Sequence, residues 1–306
     1  MNAIPKSAAV QPDSRASRPR GSELAIRPVI GPFAGGLGAE IHGVDLNRHF
    51  AGEIAQRIRD AFLLRHLVVV RNQQLSKDRM GEFAALFGEI EGNVFRNPDG
   101  STLEAIHEIS NLDAEGRPAE NPYLKSNYHW HTDKAYLPVP ALLTMLHAIE
   151  LPQSGGDTQF ADMTSAYDAL SNEDKRRIDR LRVVHSLEYM RESTGDRPPT
   201  DGERAAAPAV THPLVRTHPQ TGKKSLFLGM YCSHVVGMDA GESRALLDRL
   251  LAHATQPRFV YTHRWQPGDL VFWDNRCLLH RAMANYDMGR SRRVLQRLVV
   301  RGDAAP

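Results

Sequence analysis

Apolar and polar residues alternate from Leu24 to Ile30 and again from Glu40 to Leu46, the period of a half-buried strand. Between them, the glycines of GGLG precede a strand-like alternation instead of a helix. The strand–turn–helix setting of a dinucleotide-binding loop is therefore missing. From Ala51 to Leu64 the period lengthens, and Ile54, Ile58 and Phe62 fall on one helical face. HLVVVR then predicts a buried strand, and Ser76 an N-cap for a helix carrying Met80, Phe83 and Phe87. Further helices are predicted over Met163–Leu170, Glu173–Leu181 and Ala240–His253. Strand-like stretches occupy Ala141–Leu151, Ser225–Leu228, Arg258–Trp265, Asp269–Trp273 and Arg293–Val300. Short strands separated by Gly, Pro and Asn turns predict a mostly β chain with flanking helices, an antiparallel sandwich or barrel.

Two stretches depart from this order. Arg191–Val210 is polar and rich in Pro and Gly, which predicts a long loop, either a lid or a plain surface excursion. Residues 1–23, rich in Pro, Ser, Ala and Arg, predict a disordered tail and lack the apolar stretch of a signal peptide. The remainder, 24–306, is expected to form a single domain. With 306 residues and 41% hydrophobic composition the chain can bury a sizeable core. A formal net charge of +2 argues against nucleic acid or a membrane surface as partner. No apolar run approaches the ~20 residues that cross a bilayer. Two cysteines, Cys232 and Cys277, leave no disulfide framework and no Cys-rich zinc site, so a reducing cytoplasm is the expected compartment. Oligomeric state is left open, a homo-oligomer included.

The densest chemistry lies in NYHWHTD, from Asn127 to Asp133. If extended, it places Asn127, His129, His131 and Asp133 on one face. One imidazole and one carboxylate at this spacing supply two ligands of a 2-His-1-carboxylate triad, which leaves adjacent coordination positions open on non-haem iron. Zinc accepts the same ligand types. His280, just after the apolar strand of FWDNRCLLH, is a candidate for the third ligand. An H-x-D pair alone is weak evidence among 14 histidines and 36 acids. Two further strings add to it. SGGDT sets Thr158 after a Gly-Gly turn, and RSRRVLQR sets Arg293, Leu295 and Arg297 on one strand face. A hydroxyl and two guanidiniums can bind carboxylates through charge-assisted hydrogen bonds. A solvated basic edge strand with a structural hairpin would look the same.

WHTD, SGGDTQFADMTSAYDAL, HPLVRTHPQTGKK, GDLVFWDNRCLLHR and RRVLQR, in this order, resemble the taurine and 2,4-dichlorophenoxyacetate dioxygenase family. The opening GGLGAEIHGVDL fits as well, so the resemblance runs from Leu24 to Arg301. THRW and SHVVG point to the phenoxyacetate-degrading branch. The resemblance implies a double-stranded β-helix, or jelly-roll barrel, with iron(II), 2-oxoglutarate as cosubstrate and O2. It aligns His131, Asp133 and His280 with the metal ligands, and Thr158 and Arg293 with the residues holding the distal carboxylate of 2-oxoglutarate. Arg297 aligns with an arginine that meets the substrate's anionic group, and Asn127 with a pocket asparagine. Arg96, in GNVFRN, occupies roughly the place of a basic pocket residue. The segment between His280 and Arg293 is slightly longer than the family pattern, which keeps Arg292 and Arg290 as alternatives for Arg293.

Other histidines fit less well. The motif selects the histidine after Trp130, so His129 is expected beside the metal site and not in it. His234 reads first as a core or loop residue and second as a pocket-lining one, and Trp273 as part of the barrel core. His185, His212 and His218 receive no role. The implied partner is a small anionic organic substrate, an aryloxyalkanoate first and taurine or an alkyl sulfate second. A non-catalytic jelly-roll binding module is the reading from a different class.

Overall fold

The computed structural model describes residues 24–28, 36–48, 50–92, 103–120 and 125–306; the predicted tail 1–23 and Arg96 lie outside them. The chain begins with β1 (Ala25–Pro28), β2 (Ala39–His42), α1 (Glu53–Arg65), β3 (Leu67–Val70), α2 (Lys77–Ala84) and β4 (His107–Ser110). After a 3-10 turn (Lys125–Tyr128) come β5 (Ala141–Glu150), β6 (Thr158–Asp162), α3 (Met163–Asp168), α4 (Asn172–Ile178), β7 (Arg182–His185), α5 (Leu187–Thr194) and α6 (Asp201–Ala206). Four short strands follow: β8 (Val210–Pro213), β9 (Val215–Thr217), β10 (Lys224–Leu226) and β11 (Cys232–Val235). The chain closes with α7 (Ala240–Ala254), β12 (Val260–His263), β13 (Leu270–Asp274), β14 (Leu278–Ala282) and β15 (Val294–Arg301).

Seven strands form a large sheet in the order β1-β2-β3-β13-β5-β15-β4, antiparallel except between β2 and β3. A smaller antiparallel sheet has the order β12-β6-β14. The two face each other across one core. Leu67, Val69, Leu146, Trp273 and Leu295 of the large sheet pack there against Phe160, Tyr261 and Leu278 of the small one. The outer side of the large sheet is covered too: Ile58 and Phe62 of α1 and Met80 and Phe83 of α2 pack on Val68, Val70, Phe272 and Leu298. Burial of both faces explains why β3 and β13 read as continuous apolar runs and not as alternation. As predicted, Ser76 caps α2 by accepting from the Arg79 amide, and Trp273 is buried in the inter-sheet core. No helix among the described residues is long and apolar enough to cross a membrane.

The polar segment 191–210 is not the loop its composition predicts. It contains the end of α5 and all of α6, each started by a side-chain cap. Thr200 and Glu203 form a reciprocal capping box, and Glu203, almost fully buried, also takes Arg197 at 2.7 and 2.9 Å. Local caps thus hold helix where hydrophobic periodicity is too weak to signal it.

Candidate active site

NYHWHTD does not form a strand. Asn127 and Tyr128 belong to the 3-10 turn, whose first amides are held by the Asp196 carboxylate at 2.8 and 3.1 Å. The shared face predicted for Asn127, His129, His131 and Asp133 therefore does not exist; His129 is exposed and Asn127 half-buried. A single antiparallel bridge does the positioning instead. The His131 amide donates to the His280 carbonyl at 3.0 Å, and the His280 amide donates back at 2.8 Å. This sets the two imidazoles side by side, ring centroids 4.1 Å apart. Asp133, two residues on, faces both rings, and the chain turns away just after it through Lys134, at φ 55°. One ligand atom from each of His131, Asp133 and His280 lies within 4.8 Å of the others, and all three residues are buried.

Protonation states suit a metal. His131 Nδ1 lies 2.7 Å from the His129 carbonyl, so this nitrogen carries the proton and Nε2 keeps a lone pair. His129 thus serves through its backbone. Burial pushes both imidazole pKa values down, to the neutral form that binds a cation. Burial alone would raise the Asp133 pKa, but the Arg297 guanidinium, helped by the Thr144 hydrogen bond, holds it well below the usual carboxylate range. His280 Nε2 stands 3.6 Å from Asp133 Oδ2, too far for a hydrogen bond between them. Two neutral imidazoles and one carboxylate, turned toward a common point, fit a divalent ion such as iron(II) with coordination positions to spare.

The residues expected to meet carboxylates, Thr158, Arg293 and Arg297, sit on the same inner face. Thr158 is two residues from Phe160, which pairs with His280 across β6 and β14. That step is roughly 7 Å along the strand. The Thr158 hydroxyl accepts from Trp265 Nε1 at 3.1 Å, so its own proton remains to be donated. Arg293 is buried, and its Nε donates to the Gly156 carbonyl at 2.9 Å. The Gly-Gly turn has a steric reason: Gly156 has φ 69°, and a Cβ there would meet Arg293 Cδ and Nε at 3.0 Å. No carboxylate among the described residues pairs with Arg293, whereas Arg292 is bound to Glu150 at 2.5 Å and exposed Arg290 lies against Asp287. Of the three arginines, Arg293 alone is a buried charge with no carboxylate paired to it among the described residues. Arg297 holds Asp133 Oδ1 through Nη2 at 2.7 Å.

The model of the taurine catabolism dioxygenase TauD, TfdA family matches residues 30–299. The chain belongs to this family. It is 41% identical over 244 residues to the alpha-ketoglutarate-dependent 2,4-dichlorophenoxyacetate dioxygenase of Burkholderia sp. (strain RASC), across 77% of this chain and 82% of that protein. The (S)-phenoxypropionate/alpha-ketoglutarate-dioxygenase of Sphingobium herbicidovorans is 37% identical over 289 residues, 90% of this chain and 96% of the relative. Among solved structures, AAD-2 in complex with Mn(II) and N-oxalylglycine superimposes with a TM-score of 0.80 at 35% identity, covering 92% of this chain and 98% of that one.

Within this family site, several contributors escaped the sequence reading. Asn111 fastens the approach to Arg293: its Oδ1 accepts from the Arg293 amide, and its Nδ2 donates to the Met288 and Ser291 carbonyls. Thr144 and Asn275 reach Asp133, as described below. A second buried group, His66, His218, Asp274 and Cys277, also brings metal-binding atoms together. Its carboxylate and His218 are already engaged. Arg276 grips Asp274 at 2.8 and 2.7 Å, and His218 Nε2 contacts it at 2.9 Å. His218 Nδ1 accepts from the Gln220 and Thr221 amides, which leaves the proton on Nε2. His185 and His212 stack around Phe227 in the interior, and His234 is exposed beside Ser233.

Proposed function

We propose that this chain is an iron(II)- and 2-oxoglutarate-dependent dioxygenase that hydroxylates a small aryloxyalkanoate. The chain is a dioxygenase of the 2-oxoglutarate-dependent class, with iron(II), 2-oxoglutarate and O2 as its requirements. One observation carries most of these roles: the Asp133 carboxylate faces two buried imidazoles, with Arg293 buried on the same inner face and no carboxylate paired to it among the described residues. His131, Asp133 and His280 would hold the metal, which when bound supplies the oxygen activation that no side chain provides.

The remaining residues bind and orient. Arg293 and the donor proton of Thr158 take the distal carboxylate of 2-oxoglutarate, a dicarboxylate long enough to reach the metal face from there. N-oxalylglycine, the molecule in the related structure, has the same carboxylate spacing. Arg297 uses one of its five N–H donors on Asp133 and offers others to the substrate's anionic group. Asn127, half-buried ahead of His131, and Arg96 complete the proposed substrate contacts. The facing sheets are read as a double-stranded β-helix barrel formed by residues 24–306 as one domain. Two buried free cysteines support a cytoplasmic setting.

Names of relatives acting on phenoxyacetate and phenoxypropionate support an aryloxyalkanoate substrate. Hydroxylation of an aryloxyacetate at the carbon beside the ether oxygen gives a hemiacetal, which collapses to a phenol and glyoxylate. Phenol release from aryloxyacetates, with none from their methyl esters, is the expected result. Equal use of acid and ester would remove the anionic anchor from the account. Faster consumption of taurine or an alkyl sulfate would keep the reaction class and change the substrate.

A further inference from the structure

Three side chains behind Asp133 form a hydrogen-bonded chain with only one permitted direction. Asn275, at the β13–β14 turn, is buried, and its Oδ1 accepts from Trp273 Nε1 at 3.1 Å and from the Asp133 amide at 3.2 Å. Turning the amide over would set its NH2 group against those two donors, so the orientation is forced. Asn275 Nδ2 therefore donates to Thr144 Oγ1, at 2.9 Å. A threonine hydroxyl has one proton. With Asn275 already donating to its oxygen, that proton goes to its other neighbour, Asp133 Oδ2, at 2.5 Å. Thr144 is fully buried on the inner face of β5, where no water competes for the bond.

We propose that Thr144, its proton directed by Asn275, is a positioning residue for the metal. It fixes the rotation of the Asp133 carboxylate so that Oδ2 keeps its remaining lone pair turned toward His131 and His280. Arg297 occupies Oδ1 at the same time. The carboxylate is thereby held to a single ligating oxygen, and the coordination positions needed for cosubstrate and oxygen stay open. Without the Thr144 bond, the carboxylate can rotate about its Cβ–Cγ bond, and an ion must stop that motion on binding. Removing such an outer contact typically weakens a metal site by roughly 10- to 100-fold.

This inference rests on the metal-site reading above, and the experiment separates the two. Mn(II) affinity of the metal-free protein is measured by the electron paramagnetic resonance of free Mn(II), alongside the apoprotein's melting temperature. Thr144→Val keeps the shape and removes the hydroxyl; its Mn(II) dissociation constant should rise roughly 10- to 100-fold. Thr144→Ser restores the hydroxyl and should bind close to the parent. Should Thr144→Val not fold, Thr144→Ser against Thr144→Ala gives the same contrast, because both lack the methyl group and only one has the proton. Unchanged Mn(II) affinity in Thr144→Val, or in Thr144→Ala relative to Thr144→Ser, overturns the positioning role and leaves Thr144 a core residue. Absence of Mn(II) binding in the parent overturns the metal site itself and this inference with it.

Discussion

Two buried clusters in this molecule contain nearly the same residue types, and they are built for opposite purposes. His131, Asp133 and His280 face one another with no proton bridging the imidazoles and the carboxylate. Arg297 and Thr144 hold Asp133 through one contact on each oxygen. His66, His218, Asp274 and Cys277 lie equally close together, but Arg276 closes both Asp274 oxygens and His218 donates into the same carboxylate. Residue type and proximity are shared. What differs is whether lone pairs are left over, since a metal needs deprotonated ligands and a carboxylate saturated with hydrogen bonds has nothing to offer.

The largest expected effect tests that distinction directly. Replacing His131, Asp133 or His280 by Ala should abolish stoichiometric metal binding and succinate formation, while His129→Ala retains both, because only its backbone carbonyl is used. Metal analysis of the four purified variants decides the matter; loss of metal in His129→Ala would reassign the ligand. Substitution in the second cluster should act on stability alone. Asp274→Ala strands the Arg276 guanidinium in the interior, which costs about 3–5 kcal/mol for a buried pair broken on one side. Urea unfolding measures the loss, and metal content should not change. A fall in metal content without a fall in stability would mean that the second cluster ligates.

The next effect concerns Arg293, the buried arginine with no carboxylate paired to it among the described residues. Arg293→Ala should raise the 2-oxoglutarate requirement well beyond Thr158→Ala, since bonds to charged groups are worth about 1.5–3 kcal/mol against roughly 1 for neutral ones. Titration of 2-oxoglutarate at fixed substrate gives the comparison; an unchanged requirement in Arg293→Ala would pass the role to Arg292 or Arg290. The smallest effect is a pH dependence in the second cluster. Burial lowers the His66 pKa below its ordinary 6.5, so below that pH the unfolded chain takes up a proton that the folded one refuses. Stability is complete above pH 6.5 and falls as the pH drops toward the folded value, by up to about 1.4 kcal/mol per pH unit. His66→Gln should flatten that part of the unfolding free-energy profile; an identical slope in the variant would remove His66 as its source.

The sequence was informative where burial has a period. The α1 and α2 faces, the buried runs of β3 and β13, the inward pair Leu295 and Arg297, and the Ser76 cap all follow from local pattern. Segment 191–210 was misread because its helices rest on caps and a buried Arg197–Glu203 pair, which leave no apolar stripe. The strand expected at NYHWHTD failed for a related reason. Alternation of polar residues signals a strand only when one face is buried as a sheet, and here Asp196 winds the segment into a turn. The three residues that the family resemblance assigned to the metal do come together, through a backbone bridge that the resemblance did not contain.

Residue pattern by itself determined that this chain is mostly β with helices outside; the family resemblance added the expectation that a histidine–carboxylate pair lies near a second histidine and two arginines. Only the tertiary structure decided which of the two His–carboxylate clusters keeps its lone pairs. It also decided which arginine is buried with no acid paired to it among the described residues, and that Thr144 must give its proton to Asp133. Thr144 and Asn275 are 131 residues apart and carry no motif between them. Hydrophobic pattern records which side of an element is buried, because burial repeats with the element's own period. The direction of a hydrogen bond depends on which donors and acceptors meet across different strands, and that is settled only when the sheets have closed on one another.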